Sequence, residues 1–201
     1  MTTRTHPYLD NPGPIAFAHR GGLDVRWDVL KNARVDGREP VPLLADILGT
    51  WSDLRVNIDC KTREAEGALI STLREFDCLD RVCVGSFSDS RLGRFRAEFG
   101  DALCTSAGPR EVALLVAGSL LSIRSGDNTG PHAAQVPVRQ GPLPVVTRRF
   151  VDSCHDKGMQ VHVWTIDDPS EISRLLDLGV DGIMSDDIRA LRDVFAARGL
   201  W

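Results

Sequence analysis

The stretch RVNIDCKTREAEGALISTLREFDCLDRVCVGSF, Arg55 to Phe87, decides how this chain folds. Two short apolar runs, RVNIDCK and RVCVGSF, flank an amphipathic segment, EAEGALISTLREF, from Glu64 to Phe76. Strand, helix and strand in that order read as a parallel pair with a crossover helix, since a hairpin needs only a tight turn. Working outward, the alternation continues. RVCVGSF is followed by SDSRLGRFRAEF, ALCTSAG by PREVALLVAG, HAAQVP by TRRFVDSCHDKG, QVHVWTI by DPSEISRLLDLG, and GIMSD by IRALRDVFAARG. Such a pattern predicts an α/β protein with a parallel sheet and helices on its outer face.

The punctuation agrees. Gly158 and Gly179 each fall just past an apolar-periodic segment, where a left-handed cap is wanted, and Asp168-Pro169-Ser170 and Ser88 supply helix-start chemistry. With IAFAHRG near the N-terminus, the count reaches seven strands. A closed TIM-type (β/α)8 barrel has eight strands and about 250 residues. The expected fold is therefore such a barrel lacking roughly one β/α unit, and open or distorted as a result. The 201 residues, 42% of them hydrophobic, can bury one substantial core, so residues 1–201 are expected to form a single domain. Residues 1–13 are expected to be a flexible tail.

The net charge of −4 argues against the broad basic surface that nucleic acid or anionic lipid needs. The five cysteines, Cys60, Cys78, Cys83, Cys104 and Cys154, are odd in number and lack a CxxC pair, which fits reduced thiols in the cytoplasm. The most apolar run, VALLVAGSLLSI, is too short to cross a bilayer, and the N-terminus lacks the apolar stretch of a secretory signal.

Strand periodicity sorts the polar residues by direction. In RVNIDCK, Val56, Ile58 and Cys60 share the face that packs under helices, which puts Asn57, Asp59 and Lys61 on the other. In a barrel that second face points inward, and its last positions lie at the carboxyl-terminal mouth, where barrel enzymes collect catalytic groups. A solvated strand end with a local ion pair is the competing reading. In IAFAHRGG, His19 and Arg20 end a strand before two glycines: an acid/base group, a fork of donors matched to phosphate oxygens, and a backbone a ligand can approach closely. His162 and Trp164 share a face of QVHVWTI. Trp164 is placed to wall a pocket, whereas His162, one layer deeper, reads as a satisfied core histidine. His6, His132 and His155 lie in tail, loop and helix contexts with no partner visible in the sequence.

AHRGG, PLLADIL leading into VNIDCK, SFSD, RRFVDSCHDKGMQVHVWTIDDPSE and LGVDGIMSD, in that order from Ile15 to Leu191, resemble the glycerophosphodiester phosphodiesterase family. The resemblance implies a (β/α)8 barrel that uses a divalent cation, Mg²⁺ or Ca²⁺, to cleave small-molecule glycerophosphodiesters into glycerol 3-phosphate and an alcohol. It implies that His19 is one of two acid/base histidines and Arg20 a phosphate ligand. Asp59 would match a metal carboxylate, Lys61 a substrate-phosphate contact and Trp164 part of the pocket wall. A hard cation wants oxygen ligands, and charge developing on phosphorus wants fixed cations.

The family pattern continues after its His-Arg with a helix beginning Glu-Asn-Thr, a strand bearing Glu-x-Asp, and then His-Asp. This chain passes from AHRGG straight to LDVRWDVLKNARVDGREPVP. The resemblance thus implies that the first helix, the second strand, two of three metal carboxylates and the second catalytic histidine are absent together. Asp24, Asp28, Asp36 and Glu39 in the joining segment read as a polar loop rather than as replacement ligands. A cation held by one carboxylate binds weakly, and loss of one acid/base partner costs on the order of 10² to 10⁴ in rate. Three readings stay open: a phosphodiesterase of impaired activity, a silent relative that binds phosphate esters, and a non-functional deletion product. The exposed strand edge left by the deletion is expected to invite self-association.

Overall fold

The computed structural model describes residues 6–18, 34–35, 39–121 and 130–201, and the structural statements below concern these. Seven parallel strands carry the fold: β1 (Ile15–Ala18), β2 (Val56–Asp59), β3 (Val82–Gly85), β4 (Cys104–Thr105), β5 (Ala133–Val136), β6 (Gln160–Val163) and β7 (Gly182–Ser185). Helices α1 (Leu44–Thr50), α2 (Glu64–Phe76), α3 (Asp89–Phe99), α4 (Pro109–Leu121), α5 (Arg148–His155), α6 (Pro169–Leu178) and α7 (Ile188–Ala197) alternate with them. Each strand foreseen from the alternation is present. α1 has no counterpart in that alternation.

The strands are hydrogen-bonded in the order β1-β7-β6-β5 and β2-β3-β4. A parallel bridge between Ser106 and Ala133 joins the two groups, with Ala107 N donating to Ala133 O at 2.7 Å and His132 N to Thr105 O at 2.9 Å. The result is one curved sheet that begins at β1 and ends at β2. Among the described residues, no strand pairs with the outer edge of either. Two short antiparallel pairs lie outside it, Arg34–Val35 with Glu39–Pro40 and Arg139–Gln140 with Leu143–Pro144.

Local chemistry sets the helix ends. Asp168 accepts a hydrogen bond from Glu171 N at 2.8 Å and Pro169 opens α6, while Gly179, at φ 90°, lets the chain leave it through a conformation that side chains oppose. Ser88 stands at the cap position of α3, but its hydroxyl lies 3.1 Å from Ser90 Oγ and makes no capping bond to the helix backbone.

Outward-facing residues form two apolar layers under the helices. One gathers Val136, Val161, Val163 and Ile183 with Phe150, Ile172 and Phe195. The other gathers Val56, Ile58, Cys60, Val82 and Val84 with Leu73 and Phe95. Fully burying a valine, isoleucine, leucine or phenylalanine side chain contributes about 1.5–3 kcal/mol. The inward face carries a polar cluster. Gln135 Nε2 lies 2.9 Å from Asn57 Oδ1 and 3.3 Å from His162 Nδ1, and His162 Nε2 lies 3.0 Å from Gln160 Oε1.

The N-terminus departs from expectation. Residues 6–9 are no flexible tail: Pro7–Leu9 form a 3-10 turn whose Tyr8 and Leu9 are buried against Cys83 and Cys104, with Phe17 beside them. Gln160 Nε2 donates to Leu9 O at 3.0 Å and Arg55 Nη2 to Asp10 O at 2.8 Å. The segment plugs the amino-terminal end of the barrel, packed on the inward Cys83 and Cys104.

Candidate active site

The carboxyl ends of the strands form the mouth. β2 and β3 run in register with Asp59 opposite Gly85, and the ladder continues one step as Cys60 N donates to Gly85 O at 2.8 Å. Cys60 turns outward into the apolar layer, so Asp59 and Lys61 both project from the other face, as the alternation requires. Their side chains meet at 2.7 Å, each partly open to solvent. An exposed pair of this kind adds little stability and is free to rearrange around a ligand.

Two aromatic rings stand over the same end. Phe87, two residues past Gly85, is 71% exposed. Its ring meets that of Trp164, at the end of β6, with centroids 5.9 Å apart and planes at 80°. Edge-to-face contact of this geometry is favourable, yet it leaves most of Phe87 facing water. Phe87 is not among the residues that mark the candidate site in the sequence. The signal was there, since Cys83, Gly85 and Phe87 share strand parity with the inward face.

Behind the mouth, Ser86 Oγ donates to Cys60 O at 2.7 Å, and Arg91 Nη1 donates to Cys60 O at 3.0 Å and to Ser86 Oγ at 2.7 Å. On the opposite rim, Asp167 Oδ1 accepts from Ser185 Oγ at 2.9 Å and from the amides of Asp186 and Asp187 at 2.8 and 3.2 Å, binding the loop after β6 to the loop after β7.

His19 and Arg20 lie outside the described residues, as do Asp24, Asp28 and Asp36. β1 ends at Ala18 and its chain runs directly into them. The four described histidines all lie away from the mouth. His6 is 3.0 Å from Ala102 O and 5.0 Å, ring to ring, from His132. His132 Nδ1 accepts from Thr105 N, and His155 Nε2 is 2.8 Å from Asp181 Oδ2. These three therefore have partners at the amino-terminal end. His155 is raised by its hydrogen bond to Asp181, and His132 is lowered chiefly by burial.

His162 is fully buried, and burial pushes it down to about 4. Gln135 Nε2 donates to its Nδ1, which leaves the proton on Nε2 facing Gln160 Oε1. It is a neutral, satisfied interior histidine. The Cys60 thiol is raised by burial and stays protonated.

The divalent cation expected from the resemblance needs several oxygen ligands. Among the described residues, no group of three or more His, Cys, Asp or Glu side chains is placed to hold one. Asp59 is the one carboxylate there that matches the expected ligand set, and alone it does not make a cation site. Among the described residues, no helix is long and apolar enough to cross a membrane.

Comparison with known proteins accounts for this geometry. The chain is 34% identical over 193 residues to Probable glycerophosphodiester phosphodiesterase 2 of Mycobacterium tuberculosis (strain ATCC 25618 / H37Rv), covering 90% of this chain and 70% of that protein. Its fold is similar to a glycerophosphodiester phosphodiesterase from Parabacteroides distasonis, with a TM-score of 0.65 at 19% identity, covering 87% of this chain and 72% of the other. It is also similar to a phosphodiesterase of Oleispira antarctica, solved with the product sn-glycerol-3-phosphate, with a TM-score of 0.55 at 15% identity over 77% of this chain and 61% of the other. The arc of strands is thus a TIM-type barrel. Residues 19–190 match the model of the glycerophosphoryl diester phosphodiesterase family, and the chain belongs to that family.

Proposed function

We propose that this chain hydrolyses glycerophosphodiesters to glycerol 3-phosphate and an alcohol, at a rate reduced by on the order of 10² to 10⁴ for want of one acid/base partner. The observation that carries the reading is the Asp59–Lys61 pair, 2.7 Å apart at the carboxyl end of β2. In this reading Lys61 and Arg20 bind the phosphate, His19 moves the proton, and Trp164 walls the pocket. Asp59 is the carboxylate offered to Mg²⁺ or Ca²⁺. With so few ligands the cation is held weakly and is lost readily to chelator. The five cysteines are buried, unpaired thiols, which supports a reducing compartment such as the cytoplasm.

The test is release of glycerol 3-phosphate from glycerophosphocholine, with and without added Mg²⁺ and Ca²⁺. Slow release that His19→Ala and Asp59→Ala both abolish, and that chelator suppresses, is the expected outcome. A second reading has its own support: the described histidines all face away from the mouth, so none of them stands in for the missing acid/base partner. In that reading the chain binds phosphate esters through Arg20 and Lys61 without turning them over. Glycerol 3-phosphate binding that chelator leaves unchanged, together with no release, would select it.

A further inference from the structure

β2 carries both Asp59 and Lys61, and it is an end strand of the sheet. Among the described residues only β3 pairs with it. The last residues of an end strand fray readily, because one side of the backbone lacks a partner. Here the residue between the two site residues, Cys60, is held at both its backbone N–H and its carbonyl. Cys60 N donates to Gly85 O at 2.8 Å. Cys60 O accepts from Ser86 Oγ at 2.7 Å and from Arg91 Nη1 at 3.0 Å. The Cys60 side chain is buried on the helix side.

The donors are themselves fixed. Ser86 is buried, and its hydroxyl accepts from Arg91 Nη1 at 2.7 Å. Arg91 Nε donates to Glu66 Oε1 at 3.2 Å, and Arg94 clasps the same carboxylate with two bonds of 2.6 Å. Glu66 sits on α2 and both arginines on α3, so the two helices that flank β3 along the chain are tied to the end of β2. The planar fork of Arg91 reaches Glu66, Ser86 and Cys60 O together, which a single ammonium cannot do.

We propose that Ser86 and Arg91 are positioning residues: by locking the Cys60 carbonyl they aim Asp59 and Lys61 into the mouth. Neither touches the ligand. With Cys60 pinned outward, alternation leaves its two neighbours only the opposite direction, and they converge there at 2.7 Å. Arg94 shares the ion network through Glu66 but donates no hydrogen bond to the Cys60 carbonyl or to Ser86 among the described residues, so it separates aiming from general stability.

This inference rests on the reading of the mouth as a phosphate-ester site, and two readouts keep them apart. The first needs no ligand: hydrogen exchange in the full chain at the Cys60 amide, which donates to Gly85 O. Ser86→Ala and Arg91→Lys are expected to speed it about tenfold, the loss of one good hydrogen bond, while Arg94→Ala leaves it at the wild-type rate. The second is calorimetric titration with sn-glycerol 3-phosphate in MgCl2. Ser86→Ala and Arg91→Lys are expected to bind about fivefold more weakly, and Arg94→Ala as the wild type does. Melting temperatures of all three variants report whether each is folded. Unchanged exchange in Ser86→Ala and Arg91→Lys, or equal acceleration in Arg94→Ala, would overturn the proposal. A wild-type chain that binds no glycerol 3-phosphate, with exchange responding as expected, overturns the phosphate-ester reading instead.

Discussion

Gln135 Nε2 donates to Asn57 Oδ1 at 2.9 Å across the barrel interior, joining β5 to β2 although the residues lie 78 apart in sequence. The same amide faces His162 Nδ1 at 3.3 Å, so one side chain satisfies two others. Replacing Gln135 by Leu strands both partners in the interior. The expected cost is about 1–3 kcal/mol, read as a lower urea midpoint. An unchanged midpoint would mean that the three side chains do not share this network.

His162 makes stability depend on pH. Burial lowers it to about 4 in the folded chain, against about 6.5 when unfolded. Between those values the unfolded chain binds the extra proton, so stability rises with pH. The contribution is whole above about pH 6.5 and is lost as pH falls toward 4, a difference of about 3 kcal/mol. Denaturant melts across that range should show the slope, and His162→Gln should flatten it. A His162→Gln chain with the wild-type slope would show that another group carries the effect.

Gly182 opens β7 beside two interior rings. A methyl group there would lie 2.7 Å from Phe17 Cε2 and 2.8 Å from His162 Cδ2, closer than carbon atoms approach. Both rings are themselves in contact, with centroids 4.8 Å apart. Gly182→Ala should therefore destabilise by about 1–3 kcal/mol, visible as a lower melting temperature. A variant that melts with the wild type would place these rings elsewhere.

Phe87 offers the opposite test. At 71% exposure its removal should move stability by less than about 0.5 kcal/mol. Binding of glycerophosphocholine should weaken about fivefold if the ring touches the ligand. Equal loss of stability and affinity would instead make Phe87 a packing residue.

Much of this architecture is legible in the amino-acid sequence. The sequence marks Glu64–Phe76 as a helix with the bounds that α2 has, and sets the strands in order, because alternation and helix-end chemistry are local signals. The outward Val56, Ile58 and Cys60 followed from strand parity alone. The N-terminal plug did not, since Tyr8 and Leu9 are buried by Cys83 and Cys104, far along the chain. Arg91 was equally hidden: a charge on a helix reads as solvated until a carbonyl of another strand is found beside it. The partners of His6, His132 and His155 are also long-range contacts or backbone groups, which carry no local pattern.

The sheet starts at β1, which leads into His19, and finishes at β2, which carries Asp59. Going around through hydrogen-bonded neighbours, these two strands are as remote as the sheet allows. They are related like the tips of a calliper, whose spacing is governed by the bow of the whole spring. A residue in the middle of that bow, such as Gln135 on β5, which bonds across the interior to Asn57 on β2, therefore shares in tuning how wide the tips stand.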